Sequence, residues 1–266
     1  MQKQMIHEQD PGKLSVMQRL TLATALQAGE LLTRCGAETY RVEDTVSRIL
    51  SQCDNLEVNV LALLTGLTVT MRLPDGQYLT AIKRIPSRET NLQILIEVND
   101  ISRHLSQGKI SMEDAYYQLF VLSNRPRRHK HFILFSAFMG TFFTFMVGGN
   151  LLEGIFSGLG SMATCIMDIL DPDYIMGDFL HTLAKAFLGS FLMIMVSKLH
   201  RDLSMSTMIL GSIIKFFPGT TLTNGIRDTM NGDYLTGAGN FLSAVTTALA
   251  LALGTGFSMF LTGARI

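Results

Sequence analysis

The sequence lacks several features that identify common classes of protein. Its 22 basic residues (Lys and Arg) equal its 22 acidic residues (Asp and Glu) in number, so there is no excess positive charge and no nucleic-acid partner is expected. Three isolated cysteines, Cys35, Cys53 and Cys165, suit a reducing compartment and favour neither a disulfide framework nor a zinc site. Residues 1–13 are polar, so no cleavable signal peptide is expected.

The motifs of ATP binding and of common hydrolases are also absent. There is no G-x-x-x-x-G-K-[ST] phosphate loop, no H-E-x-x-H, no G-x-S-x-G and no Cys/His pair at metal-ligand spacing. We therefore expect no cofactor, no metal and no enzymatic activity. Without that phosphate loop, no ATP-driven activity is expected.

Charge and glycine are unevenly distributed along the chain. Only 14 of the 44 charged residues, but 17 of the 23 glycines, lie in 131–266. This composition predicts two domains. Residues 1–128 are expected to form a cytoplasmic α+β domain, with helices and a small antiparallel sheet. Residues 129–266 are expected to form an all-α membrane bundle of about five transmembrane helices.

The first domain begins with two predicted helices. Ser15 and Gln18 have the spacing of a capping box, and Gly36 suits the left-handed position after a helix end. The next helix, about 38–50, has an apolar stripe opposite charged residues that are spaced for ion pairing. The pairs are Glu38–Arg41 and Asp44–Arg48. That charged face is either a solvated, ion-paired surface or a docking or regulatory surface.

Strands and further helices complete the first domain. The predicted strands are 56–64, 67–73 and 78–85. The second and third strands form a hairpin around the turn Pro74-Asp75-Gly76. Thr90 and Ser111 are predicted to cap the helices that follow.

Apolar runs fill the second half. Membrane spans are predicted at 132–149, 151–170, 179–198, 203–218 and 237–261. The basic cluster at 125–131 places the first domain in the cytoplasm. Spans that then cross the membrane in alternate directions put Lys198 and Arg201 outside, against the positive-inside tendency. Closely spaced glycines at 148–149 and 154–158 predict tight helix packing.

Charges within these runs need a reason, because a charged side chain at the bilayer centre costs at least about 2.5–3.5 kcal/mol. Glu153 lies near a span end, where water can reach it. His181 and Lys185 share a helix face, and Lys185 either extends to the interface or lines a cavity. Four aspartates near the loop between two spans form either a cation site or, more simply, a solvated turn. They are Asp168, Asp171, Asp173 and Asp178.

The stretch FFPGTTLTNGIRDTMNGD at 216–233 combines a helix break with a polar helix face. Pro218 ends the preceding helix, and Thr220 or Thr221 can cap a new one that ends at Asn231-Gly232. Its apolar face is Leu222, Ile226 and Met230, and its polar face is Asn224, Arg227, Asp228 and Asn231. A helix N-terminus and an arginine suit a carboxylate ligand, but an interfacial helix whose polar face meets water explains the pattern equally well. In the last span, Asn240 begins a weakly polar stripe that could line the same cavity.

Two segments carry a resemblance to a known family. They are GAETYRVE at 36–43 and PGTTLTNGIRD…NGDYLTG at 218–237. Through them the chain resembles the threonine/serine exporter family from about residue 15 to residue 260. The resemblance implies a multi-pass inner-membrane subunit of a secondary exporter for small carboxylates, either threonine and serine or succinate-like dicarboxylates. The alternatives are a membrane-tethered sensor and a membrane-embedded enzyme.

The resemblance also implies a partner, and it favours the substrate-site interpretation of Asn224, Arg227 and Asp228. Full-length members join this unit to a second membrane unit, so the chain resembles the larger component of a split exporter that works with a small membrane protein; a homo-oligomer is left open. The predicted substrate-binding residues are Thr220, Thr221, Asn224, Arg227 and Asn240. The proton-coupling candidates are Asp228, Glu153 and Lys185.

Overall fold

The computed structural model describes residues 14–53, 57–73, 76–86, 90–125, 129–170 and 176–264, without the side chains of 129–131. The chain divides into two compact units. Unit 1 comprises 1–126 and 221–241, and unit 2 comprises 127–220 and 242–266. The predicted assignment of 1–128 to the cytoplasm and of 129–266 to the membrane concerns location, and it stays a prediction.

The described helices and strands follow one another along the chain without long gaps. They are α1 (Val16–Arg34), α2 (Thr39–Leu50), β1 (Glu57–Leu63), β2 (Gly66–Arg72), β3 (Tyr78–Arg84), α3 (Leu92–Ser106), α4 (Met112–Ser123), α5 (His129–Met146), α6 (Leu151–Thr164), α7 (Ile166–Leu170), α8 (Gly177–Leu199), α9 (Met205–Ile213), a 3-10 turn (Ile214–Phe216), α10 (Gly219–Met230) and α11 (Tyr234–Thr262).

Unit 1 confirms the α+β prediction. Its sheet is antiparallel in the order β1-β2-β3, with Val69 of the central strand opposite Val60 on one side and Ala81 on the other. Leu67, Val69 and Met71 are buried, as the alternation of apolar and polar residues predicts for a strand with one covered face. The turn residues Pro74 and Asp75, and Leu56 at the predicted strand start, lie outside the described residues.

Local signals place most helix ends of unit 1. Ser15 and Gln18 form the predicted capping box, and Gly36 adopts a positive φ of 85° after α1. Ser111 caps α4 as predicted. The prediction for α3 is wrong by one residue: Asn91, not Thr90, accepts the N–H of Ile94, and asparagine is the stronger N-cap of the two.

Unit 2 is built on close approaches between helix backbones. A Cβ added at Gly158 of α6 would lie 2.8 Å from the carbonyl oxygen of Ala137 in α5. A Cβ at Gly140 of α5 would lie 2.9 Å from the carbonyl oxygen of Ser157 and 3.0 Å from that of Gly211 in α9. These contacts confirm the predicted small-residue packing, because only a residue without a side chain lets the backbones come so near.

Within the described residues, two helices are long and apolar enough to cross a membrane, α8 (Gly177–Leu199) and α11 (Tyr234–Thr262). Two shorter apolar helices there span Phe132–Met146 and Met205–Phe216. The bundle of five spans is therefore not confirmed. The predicted break at Pro218 is present, since the 3-10 turn ends at Phe216 and α10 begins at Gly219. The capping role of Thr220 or Thr221 is wrong, because both lie inside the first turn of α10.

Adding one methyl group at the α5–α6 crossing should destabilise unit 2. We expect Gly158→Ala to lower the thermal midpoint of the full chain, because the new Cβ meets backbone that cannot move aside as a flexible side chain does. The matched control is Gly256→Ala in α11, where a Cβ meets nothing within 4 Å and alanine's higher helix propensity favours the helix. Thermal unfolding in detergent measures both; equal midpoints for the two variants would contradict the packing.

Candidate functional site

Helix α10 places a carboxylate at the start of helix α2. The backbone N–H of Thr39, the first residue of α2, donates to Oδ1 of Asp228 at 3.2 Å. The residue at the N-cap position of α2, Glu38, makes no capping hydrogen bond with its own side chain. Because the first N–H groups of a helix lack partners within it and carry partial positive charge, Asp228 supplies a cap that α2 does not obtain locally.

Neighbouring polar residues of α10 also contact the segment that joins α1 and α2. Asn224 donates from Nδ2 to the carbonyl oxygen of Gly36 at 2.9 Å. Arg227 forms an ion pair with Glu38, and Glu38 is shared with Arg41, whose Nε lies 3.4 Å from the other carboxylate oxygen. The charged face predicted on α2 therefore serves, through Glu38, as a surface on which α10 packs.

Asn240 belongs to the same cluster. Helices α10 and α11 approach closely at Gly225 and Gly237, where a Cβ at 237 would lie 3.0 Å from the carbonyl oxygen of residue 225. This crossing lets Asn240, which is buried, donate from Nδ2 to Oδ2 of Asp228 at 2.9 Å. Asn240 also lines a cavity of about 10 Å³ beside Thr39, which has room for about one water molecule and none for an amino acid.

The structure thus brings together four of the predicted residues, Asn224, Arg227, Asp228 and Asn240. It leaves Thr220 exposed and Thr221 half-buried, and the contacts of the described residues place neither in this cluster. The side chain of Arg227 is 56 % exposed, so its guanidinium is accessible to a solute although it already has a carboxylate partner.

Parts of both faces of α10 differ from the exposure expected for a helix whose polar face meets water. Asp228 is buried on the polar face, whereas Ile226 and Met230 on the apolar face are 54 % and 81 % exposed. The polar face therefore packs within unit 1 at Asp228 and Asn224, whereas Arg227 and Asn231 stay exposed.

Burial sets the electrostatics of this cluster. Burial raises the pKa of the Asp228 carboxyl above its ordinary value, and the N–H groups of Thr39 and Asn240 oppose part of that rise. The pKa of Glu43 is raised in the same direction, first by burial and then by the nearby charges of Asp233 and Asp228, while a hydrogen bond from the Ala62 N–H opposes it. Carboxyls of this kind retain a proton at a higher pH than exposed ones.

In unit 2, Glu153 is buried, and each of its carboxylate oxygens accepts a backbone N–H. Its carboxylate accepts the N–H of Asn150 at 2.9 Å, in a capping box at the start of α6, and the N–H of Ser204 at 2.6 Å. Glu153 therefore joins the start of α6 to the N-cap residue of α9. A sequence signal for this existed, because an asparagine followed three residues later by glutamate resembles a capping box.

Lys185, the third proton-coupling candidate, forms an ion pair with Asp168 of α7, with Nζ 2.5 Å from Oδ1. His181, one turn earlier on α8, is buried, and its Nε2 lies 3.2 Å from the carbonyl oxygen of Met167. Both predicted residues of this helix face therefore contact α7. A second lysine nearby, Lys215, was not singled out by the sequence reasoning, although a lone charge in an apolar run is a signal of function.

The predicted aspartate loop shows no metal centre in the part of the chain that the structure describes. Among those residues, no group of three or more His, Cys, Asp or Glu side chains is placed to hold a metal ion. Asp168 instead pairs with Lys185, and Asp171 and Asp173 lie outside the described residues.

Comparison with known proteins gives one match. A family model described as "Putative threonine/serine exporter" matches residues 23–262. No curated protein and no solved structure matches the chain.

The raised pKa of Asp228 predicts a pH dependence of stability. The folded chain holds the proton of Asp228 more tightly than the unfolded chain does, and this difference stabilises the fold. The stabilisation is fully present below the ordinary pKa near 3.8 and is lost as pH rises through the folded pKa. We expect the thermal midpoint of the wild type to rise relative to that of Asp228→Asn as pH falls from 7 toward 4. Burial raises the pKa of Glu43 in both proteins, and the part of that rise that comes from the Asp228 charge is lost in the variant, which changes the difference in the same direction. A wild type that loses stability relative to the variant on acidification would contradict the raised pKa.

Proposed function

The chain belongs to the threonine/serine exporter family, and from this premise we propose that it is the larger subunit of a secondary exporter of small carboxylates. The family is one of transporters rather than of enzymes, and membership makes this a membrane protein. The finer elements of the proposal are a multi-pass position in the inner membrane, a cytoplasmic N-terminal domain and a small membrane protein as the second component.

The observation that best supports transport is the burial of charge among apolar helices in unit 2. Lys185 and Asp168 form an ion pair whose side chains are 7 % and 16 % exposed, and Glu153 is 5 % exposed. Ionisable groups in such surroundings are costly and commonly mark solute or proton pathways. The absence of an ATP-binding motif from the sequence favours a proton gradient as the source of energy.

The proposed substrate carries at least one carboxylate. Threonine, serine and succinate-like dicarboxylates share that group, and a guanidinium binds it through two parallel hydrogen bonds. Arg227 is the proposed carboxylate contact in unit 1, because its side chain is more than half exposed and its partner Glu38 has a second cation in Arg41. Glu38 can thus remain paired when Arg227 turns to a substrate, with Asn224 about one turn earlier on α10. Thr220 and Thr221 stay candidates from the sequence alone.

Asp228 and Asn240 have a positioning role in this proposal. Their side chains hold the polar helix to the start of α2, and a raised pKa allows Asp228 to take up a proton within unit 1. Proton coupling through Asp228, with Glu153 and Lys185 as the candidates in unit 2, is part of the proposal.

Efflux from preloaded proteoliposomes tests the function directly. We expect labelled threonine, serine or succinate to leave liposomes that hold this chain and its small partner when a proton gradient is imposed, and the preferred label identifies the substrate. Liposomes with the chain alone, with the partner alone and without a gradient are the controls. If no label leaves while both proteins are folded and inserted, the exporter proposal fails and a sensor or an enzyme becomes the better reading.

Replacement of Arg227 tests the carboxylate contact. We expect Arg227→Ala to lower export by about tenfold or more, since a hydrogen bond to a charged group contributes about 1.5–3 kcal/mol and each 1.4 kcal/mol is about tenfold in affinity. Arg41→Ala is the matched control, because it also removes one cation from Glu38 at similar exposure. Equal export by the two variants would show that Arg227 acts only through its ion pair.

A further inference from the structure

Two lysines of unit 2 share one aromatic ring. Nζ of Lys185 lies 5.2 Å from the centroid of the Phe216 ring, and Nζ of Lys215 lies 4.9 Å from the same centroid. Lys185 comes from α8, and Lys215 comes from the 3-10 turn that follows α9. An aromatic ring attracts cations to its face, so Phe216 holds two ammonium groups in one small region.

Among the described residues, the hydrogen-bond acceptors of Lys215 include no carboxylate. Its Nζ donates to the hydroxyl of Ser136, to the carbonyl oxygen of Ser161 at 2.7 Å and to Sγ of Cys165 at 3.1 Å. In the portion of the chain that the structure covers, no carboxylate forms an ion pair with Lys215. A second ring, that of Phe132, lies 5.6 Å from Nζ.

Positive charge outnumbers negative charge among the described residues of the cluster. Within them it contains the two ammonium groups and one carboxylate, that of Asp168, whose Oδ1 lies 2.5 Å from Nζ of Lys185. Taking a charge out of water without a counter-charge is costly, and neutral acceptors compensate an ammonium only in part. An anion that occupies the cluster during the working cycle would balance the charge.

We propose that Lys215 and Lys185 form a second carboxylate-binding site, located in unit 2 and separate from Arg227 in unit 1. This inference rests on the proposed function, since the ligand is the carboxylate solute that the subunit exports. The first carboxylate binds the ammonium of Lys215, in addition to or in place of its neutral acceptors. The second group of the solute then selects its partner: the ammonium of an amino acid binds Asp168, and the second carboxylate of a dicarboxylate binds Lys185.

Direct binding to the full chain in lipid nanodiscs tests the site. The probes are radiolabelled L-threonine and succinate, with threoninol and succinamide as competitors that have the same carbon skeletons but no carboxylate. We expect the wild type to bind at least one probe and neither competitor to displace it. Displacement by a competitor would show that the carboxylate is not the group recognised and would overturn the proposal.

The decisive variant is Lys215→Gln, which removes the charge and keeps a side-chain donor for Ser136 and Ser161. We expect its dissociation constant to rise at least tenfold, and that of Lys215→Arg, which keeps the charge, to rise less. The matched control is Lys198→Gln, an exposed lysine of α8 that donates to the carbonyl oxygen of Thr262 and should bind as the wild type does. Wild-type affinity in Lys215→Gln would overturn the proposal.

A double variant tests Lys185 without leaving a buried charge alone. Replacing only Lys185 would strand the carboxylate of Asp168, and the chain could then fail to fold; Lys185→Gln combined with Asp168→Asn removes the pair together. We expect this variant to elute as the folded wild type does and to bind the preferred probe at least tenfold more weakly. Binding equal to that of the wild type would remove Lys185 from the site.

Efflux measured in parallel separates this inference from the proposed function. Export by the wild type together with unchanged binding and export in Lys215→Gln would overturn the site and leave the exporter standing. A wild type that neither binds a probe nor exports it would overturn both. Binding that depends on Lys215 without any export would support the site and refute the exporter.

Discussion

The carboxylate of Asp228 at the first N–H of α2 determines how the polar helix is held in unit 1. A buried carboxylate is stable only where donors reach it, and the available donors are the Thr39 N–H and the Asn240 amide. Meeting both requires α10 to turn its polar face toward the protein and α11 to cross α10 at two glycines. The exposed apolar face of α10 follows from that orientation.

The buried polar groups of unit 2 find partners that are closer along the sequence. Glu153 closes a local capping box and reaches one further N–H, at Ser204. Lys185 and Asp168 neutralise each other. Close helix packing brings these partners within reach, because glycines such as Gly158 have no side chain to separate the helix backbones. Apolar helices can then include a few ionisable residues without leaving most of them uncompensated.

Much of the fold could be predicted because its signals are local. The capping box at Ser15 and the alternation in β2 depend on residues within one or two turns or pleats of each other. The identities of the cluster residues were also readable: three of them lie on the polar face of α10, and Asn240 begins a weakly polar stripe on α11. Their partners were not readable: Asp228 meets Thr39 across 189 residues, and no periodicity connects segments that distant. The predicted caps at Thr90 and at Thr220 or Thr221 were wrong because a difference of one to three residues in helix start changes which side chain can reach the N–H groups.

The ionisable groups differ in how strongly their present partners hold them. This difference decides which groups can exchange a protein contact for a solute. Asp228 and Glu153 are buried and each accept two N–H groups, so a solute would have to replace both donors at once. Arg227 is exposed and leaves behind a glutamate that keeps another cation, and Lys215 is held only by neutral acceptors in the described part of the chain. A transporter needs groups that bind a solute and release it in the same cycle. Cations with weak or replaceable partners meet that requirement, whereas capped carboxylates fix the helices between which they act.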